Sequence, residues 1–193
     1  ACASGAACGV QLCVYDTRRH GFAEPVLLEA AGAKGPLDPR PLAVDDLLVA
    51  FSCGKGVCAL LVHALADRGD FGPDGVDARV ADVWPEFGCA GKEATTVRDV
   101  LEHKAGLARW LPHADGGFSP TAVCDWPRAV EGIARAAPDR ADRGRPAYHA
   151  VSFGWLVGGI VEAATRRRWE RERAAAGAGA RPRPPSFAET LEE

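Results

Sequence analysis

Apolar and polar residues alternate through Gly9-Val10-Gln11-Leu12-Cys13-Val14-Tyr15, a period of two that predicts a β-strand. A polar, turn-like stretch follows from Asp16 to Gly21, and a second strand is expected over Pro25–Ala31, closing a hairpin before Gly32. Residues 34–46 carry Pro36, Pro39 and Pro41 among several charges and are expected to form a connecting loop. The pattern then changes. Leu47-Leu48-Val49-Ala50-Phe51 runs into Ser52, and an apolar helix is expected from about Cys53 to Asp67, with Gly69 at its C-terminal cap. Val57, Ala59, Leu60, Leu61, Val62, Ala64 and Leu65 fall on nearly every side of that helix, which predicts a segment buried all round at the centre of a domain.

Further on, Val80–Phe87 is short and apolar, and irregular because of Pro85. Thr96-Val97-Arg98-Asp99 resembles a capping box and opens a helix to about His103, ended by Gly106. A loop containing Trp110, Pro112, Gly116, Gly117 and Pro120 leads to a helix expected from Trp126 to Ala136. Pro138, Gly144 and Pro146 mark residues 138–147 as loop, and a long helix is expected from Val151 to about Ala174, apolar in its first half and charged in its second. The Ala/Gly/Arg/Pro stretch 174–185 has the composition of a low-complexity linker or insertion. Ser186-Phe187-Ala188-Glu189 is a second capping box, with Phe187 and Leu191 on one face of a helix barely two turns long. That helix is expected to be an interrupted element. No internal repeat is evident. Strands and helices together define an α/β (α+β) class, as one partial domain over 9–193.

Composition narrows the function. The chain has 193 residues, 47% hydrophobic and 25% charged, as in an ordinary globular domain. No run approaches the roughly 18 apolar residues of a membrane span, and residues 1–14 lack the basic and apolar regions of a signal peptide. A net charge of −3 gives no reason to expect nucleic acid. Arg166, Arg167, Arg168, Arg171 and Arg173 are interrupted by Glu170 and Glu172, the pattern of a solvated helix face. The seven cysteines are odd in number and scattered. They fit small buried hydrophobes in a reducing compartment, such as the cytoplasm or an organelle interior, better than a disulfide framework. The absence of methionine suggests a chain processed or cut from something longer.

The chemistry concentrates at Ser52-Cys53-Gly54-Lys55. Residues three apart on a helix are neighbours, so this S-x-x-K places an ammonium beside a hydroxyl. The unsatisfied N–H groups at a helix N-terminus favour a developing alkoxide there. The same field, with burial, is expected to lower the pKa of Lys55 until it can take a proton from serine. The plainer alternative is an N-cap serine followed by a lysine that snorkels to solvent. Tyr148, at the entrance of the long apolar helix, is a candidate proton relay, or else a core tyrosine with its hydroxyl on a carbonyl. Gly54-Lys55-Gly56 lacks the Ser or Thr of a phosphate loop, and His63, His103, His113 and His149 have no metal-ligand spacing. No cofactor and no metal are implied.

Phe51-Ser52-Cys53-Gly54-Lys55-Gly56-Val57, LADRG ending at Gly69, VWPEF at 83–87, TVRDVLEHKAGL at 96–107 and YHAVSFGWLVGGIVE at 148–162 resemble, in order, the beta-lactamase-related serine hydrolases. That family includes class C beta-lactamases, penicillin-binding DD-peptidases and beta-lactamase-like carboxylesterases, and its S-x-x-K signature is well known. The resemblance implies a beta-lactamase/transpeptidase-like fold, an antiparallel sheet with a helical subdomain, whose C-terminal part is missing. It also implies Ser52 as acylated nucleophile, Lys55 as its base, Tyr148 as proton relay, His103 as structural, and a small-molecule ester or amide substrate. Two features depart from it. The usual Y-x-N reads Tyr148-His149-Ala150, which removes an amide donor and shifts the expectation from beta-lactam hydrolysis towards ester cleavage, or towards no catalysis. Nothing after Tyr148 matches the third motif, of the K-T-G or H-x-G type. A non-catalytic remnant with a structural or protein-binding role is the competing expectation.

Overall fold

The computed structural model describes residue 5 and residues 7–18, 23–114, 117–118, 120–176 and 183–192. It contains two units, Ala1–Ala50 and Phe51–Glu193.

In the first unit, strand β1 (Gly9–Val14) pairs antiparallel with β2 (Leu27–Gly35) in a register running from Gly9 opposite Gly32 to Val14 opposite Leu27. The hairpin foreseen from the alternation is therefore present, with the second strand shifted towards the C-terminus. The proline-rich stretch is not simply a loop. Asp38–Pro41 forms β3, antiparallel to β2 through Gly35–Asp38 and Ala33–Pro41 pairs. Pro39 and Pro41 are tolerated because β3 is an edge strand, where a missing N–H removes no ladder bond on the open side. Beyond β3, Asp46 accepts from the Ala43 N–H at 2.7 Å and pairs with Lys34, while Gln11 Nε2 donates to the Ala43 and Asp46 carbonyls.

The second unit opens with a 3₁₀ turn, Phe51–Cys53, followed by α1 (Gly54–Asp67). Gly69 follows with φ 82°, as its capping role requires. Next come α2 (Val80–Val83), a 3₁₀ turn at Pro85–Phe87, and α3 (Val97–Leu101). The segment described as a loop after Trp110 holds the short antiparallel pair β4 (His113–Ala114) and β5 (Gly117–Phe118), then α4 (Pro120–Cys124). The remaining elements are α5 (Trp126–Arg135), α6 (Ser152–Ala176) and α7 (Phe187–Glu192). Both capping boxes form: the Thr96 hydroxyl accepts from Asp99 N–H, and the Ser186 hydroxyl from Glu189 N–H. Of the stretch 174–185, residues 174–176 extend α6, and 177–182 lie outside the described residues.

The central helix is α6, not α1. Leu156, Val157, Ile160, Val161 and Ala164 are buried, and α1, α2, α3, α5 and α7 all pack against α6. On α1 only Val62 and Leu65 are fully buried, whereas Val57 and Leu60 are 58% and 71% exposed. Its apolar residues on every side therefore do not report burial all round, because α6 covers one face. Two adjacent glycines let α6 take this position. A Cβ on Gly158 would lie 2.2 Å from the Trp126 ring, and one on Gly159 would lie 2.4 Å from the Trp84 ring.

The arginines near the end of α6 are more engaged than a solvated face implies. Arg68 donates to the buried Asp70 carboxylate at 2.8 Å, Arg168 and Arg171 approach it at 3.9 and 3.8 Å, and Arg167 donates to the Asp82 carbonyl. The cysteines also differ from expectation. Among the described residues Cys8, Cys13, Cys53 and Cys124 are exposed, and Cys58 and Cys89 are half-buried. No described helix is long and apolar enough to cross a membrane.

Candidate active site

Ser52 sits in the 3₁₀ turn that feeds α1, directly after Phe51, whose φ of 44° is unfavourable for a side-chain-bearing residue. The turn makes Cys53, not Ser52, the N-cap of α1, and Cys53 provides no side-chain cap bond. The Ser52 hydroxyl is thus left free of capping. It accepts from Lys55 Nζ at 3.2 Å and from Tyr148 Oη at 2.7 Å. Lys55 reaches Ser52 by the one-turn spacing of the motif. Tyr148 reaches it from 96 residues further along the chain. All three residues singled out in the sequence therefore meet at one point, and both Ser52 and Tyr148 are open to solvent.

Lys55 makes three further contacts. Its Nζ donates to the Ala150 carbonyl at 2.8 Å and lies 5.0 Å from the Tyr148 ring centre and 5.9 Å from that of Phe153. The backbone of Ala150 thus supplies an acceptor at the position where the motif lacks its usual amide side chain. The Tyr148 phenol is held below its ordinary pKa, first by its hydrogen bond to Ser52 and then by Lys55.

Tyr148 belongs to no helix or strand, and two histidines hold it in place. The His103 carbonyl accepts from Ala147 N–H at 2.9 Å, and His103 Nδ1 accepts from His149 N–H at 3.1 Å, so one residue grips both neighbours of the tyrosine. The His103 ring also meets the Tyr148 ring edge-on at 5.0 Å. His103 adopts φ 61°, a left-handed conformation that turns the chain sharply after α3. His149, fully buried, accepts from Leu107 N–H at Nε2 and contacts the Ala147 carbonyl through Nδ1 at 2.7 Å. A carbonyl only accepts and an amide only donates, so His149 is the neutral Nδ1–H tautomer. Burial holds both imidazoles below their ordinary pKa, and the Lys55 charge adds to this at His103. Neither role has a local signature, since the Leu107–His149 and His149–His103 bonds join segments more than forty residues apart. Among the described residues no group of three or more His, Cys, Asp or Glu side chains is placed to hold a metal ion.

A three-residue hub of serine, lysine and tyrosine at the mouth of a helix is the arrangement that the resemblance implied. The chain belongs to the Beta-lactamase family, whose model matches residues 3–172. It is 40% identical over 127 residues to Esterase/beta-lactamase LipL of Mycobacterium tuberculosis, covering 65% of this chain and 27% of that protein. Among solved structures, a penicillin-binding protein homolog from Caulobacter crescentus superposes with a TM-score of 0.64 at 35% identity, over 73% of this chain and 36% of that one. A family VIII carboxylesterase superposes with a TM-score of 0.68 at 28% identity, over 88% of this chain and 40% of that one. The fold is thus of the beta-lactamase/transpeptidase kind, and the chain spans between about a quarter and two fifths of the length of these relatives.

Proposed function

We propose that the chain carries the acyl-transfer centre of a serine hydrolase, with Ser52 as nucleophile, Lys55 as general base and Tyr148 as proton relay. The observation that carries this reading is the convergence of Tyr148 Oη and Lys55 Nζ on the Ser52 hydroxyl, at 2.7 and 3.2 Å. In the role of base, Lys55 keeps one N–H on the Ala150 carbonyl and receives the serine proton on its amine nitrogen. Ser52 Oγ then attacks the carbonyl carbon of the substrate. The positive end of the α1 dipole offers partial positive charge to the oxygen that becomes negative. Tyr148, donating to Oγ, passes its proton to the leaving alkoxide and recovers one from Lys55. Water then hydrolyses the acyl-serine, releasing the acid and restoring the hydroxyl. The steps balance as ester plus water giving acid plus alcohol.

A small ester is the substrate class we favour. The Ala150 side chain has no amide to hold a lactam or peptide carbonyl, and its backbone oxygen is already occupied by Lys55. The name of one relative, a family VIII carboxylesterase, supports the same class, while the esterase/beta-lactamase name spans both classes. The test is covalent labelling of the folded chain with a fluorophosphonate, followed by peptide mapping. Label on Ser52 that disappears in Ser52→Ala supports a working nucleophile. Folded protein that stays unlabelled at Ser52 would return the chain to the non-catalytic alternative. Hydrolysis of a p-nitrophenyl ester without hydrolysis of a chromogenic cephalosporin is the expected substrate preference.

A further inference from the structure

Away from the Ser52 site, Lys92 is completely buried although lysine is among the residues least often found so. Its Nζ donates to the carbonyls of Cys89 and Ala136 and lies 4.9 Å from the Phe87 ring centre. The Cys89 thiol lies beside that nitrogen as well, with Sγ 4.0 Å away. Sulfur and nitrogen are brought together by the tight turn Cys89-Ala90-Gly91-Lys92. It is closed by the Lys92 N–H bond to the Cys89 carbonyl and carries positive φ at Ala90 and Gly91. The thiol is half-buried and also points at the end of α5, 3.5 Å from the Ala134 carbonyl.

We propose that Cys89 and Lys92 are an oxidant-triggered covalent pair, in which a sulfenic acid formed on Cys89 is captured by the Lys92 amine as an S–N link. In the first step a hydroperoxide transfers one oxygen to the thiol. The O–O bond breaks, sulfur loses two electrons, the peroxide is reduced, and Cys89–SH becomes Cys89–SOH with release of water. In the second step the Lys92 lone pair attacks sulfur and the S–O bond breaks. Hydroxide then leaves with a proton from nitrogen, again as water. The net change is loss of one S–H and one N–H hydrogen and gain of an S–N bond. Condensation of a sulfenic acid with a backbone nitrogen to a sulfenamide is established cysteine chemistry, and an amine is the better nucleophile of the two. It needs an uncharged amine, and burial pushes the Lys92 ammonium towards that form. The four-carbon stem of lysine lets the contact shorten to a bond without moving the turn.

The experiment treats the full chain with hydrogen peroxide, alkylates the remaining thiols and digests with trypsin. Trypsin cuts after Arg79, Lys92 and Arg98, but a lysine bonded to sulfur is not cut. The expected product is an uncut Val80–Arg98 peptide about 2 Da lighter than its reduced form, returned to normal cleavage by dithiothreitol. The product should be absent from Cys89→Ser and from chain oxidised in denaturant. In Lys92→Arg, Cys89 should run on to the sulfinic acid. Normal cleavage at Lys92 in the folded, oxidised chain, with Cys89 either untouched or carried to sulfinic acid, overturns the proposal.

Discussion

Ser52 Oγ accepts its shorter hydrogen bond from Tyr148, which makes the phenol the dominant influence on the hydroxyl in the resting protein. Replacing Tyr148 by Phe removes that donor and the relay while leaving the ring that His103 packs against. The Tyr148→Phe variant is expected to slow fluorophosphonate labelling of Ser52 by roughly 10²–10⁴-fold, the usual span for one acid–base group. Its thermal midpoint should hold, because the ring is more than half exposed. The histidines behind Tyr148 give a different prediction. His149 is neutral when folded, its pKa lowered chiefly by burial and further by His103, against opposing effects of the Ala147 carbonyl and Asp142. Below about pH 6.5 an unfolded histidine takes up a proton that the folded one refuses, so stability falls as pH drops through that value. The fall continues until the folded pKa is reached, with a slope of at most about 1.4 kcal/mol per pH unit for this one proton. Urea denaturation between pH 8 and 5 should show the decline, and His149→Asn should lessen it, leaving the share that His103 contributes. An unchanged pH dependence in His149→Asn would mean that another group takes up the proton.

At the scale of elements, two kinds of local pattern were legible and a third was not. The alternation at 9–15, the stretch Trp126–Ala136 closed before Pro138 and the apolar run after Val151 each form the expected strand or helix, because such signals are local to the backbone they shape. The capping boxes were equally readable, since their bonds close within four residues. Thr96→Ala is expected to cost about 0.5–2 kcal/mol in denaturation experiments, the usual worth of a helix cap. What the pattern cannot carry is the identity of the neighbour. An apolar helix such as α1 has the same sequence signature whether one face or all faces are covered, and β3 was hidden because its prolines are permitted only by its edge position. The same limit applies to the site. The Ser52–Lys55 contact is one helical turn and was visible, whereas the grip of His103 and His149 on Tyr148 depends on segments that meet only in the fold. Glycines in α6 separate local propensity from packing in a measurable way. Gly154→Ala has nothing within 4 Å of the new Cβ and should stabilise by up to about 1 kcal/mol through helix propensity. Gly158→Ala drives a methyl into the Trp126 ring and should destabilise by about 1–3 kcal/mol. Equal effects at the two positions would remove the close indole packing as the reason for glycine at 158.

At the scale of the whole molecule, exposed apolar side chains occur in both units, and those on α1 follow from the choice of α6 as the central helix of Phe51–Glu193. Most of the first half of α6 is buried, with Gly154 at the surface, and each neighbour spends one face on it, so a neighbour that is apolar all round keeps an apolar face outward. On α1 that face includes Val57 and Leu60, which share one side at a spacing of three and follow the 86% exposed Phe51. Fully burying one such aliphatic side chain is worth roughly 1.5–3 kcal/mol, so this face is a source of attraction for any apolar partner. The physical consequence can be read with a dye that fluoresces on apolar surface. The chain under native conditions should enhance the fluorescence of 8-anilinonaphthalene-1-sulfonate while keeping a cooperative unfolding transition. Leu60→Glu combined with Val57→Gln should lower that enhancement measurably and leave the urea midpoint unchanged, since neither side chain contributes to the buried core. A midpoint that drops with the fluorescence would mean that these side chains are packed in solution, and that α1 is covered on the face left open by α6.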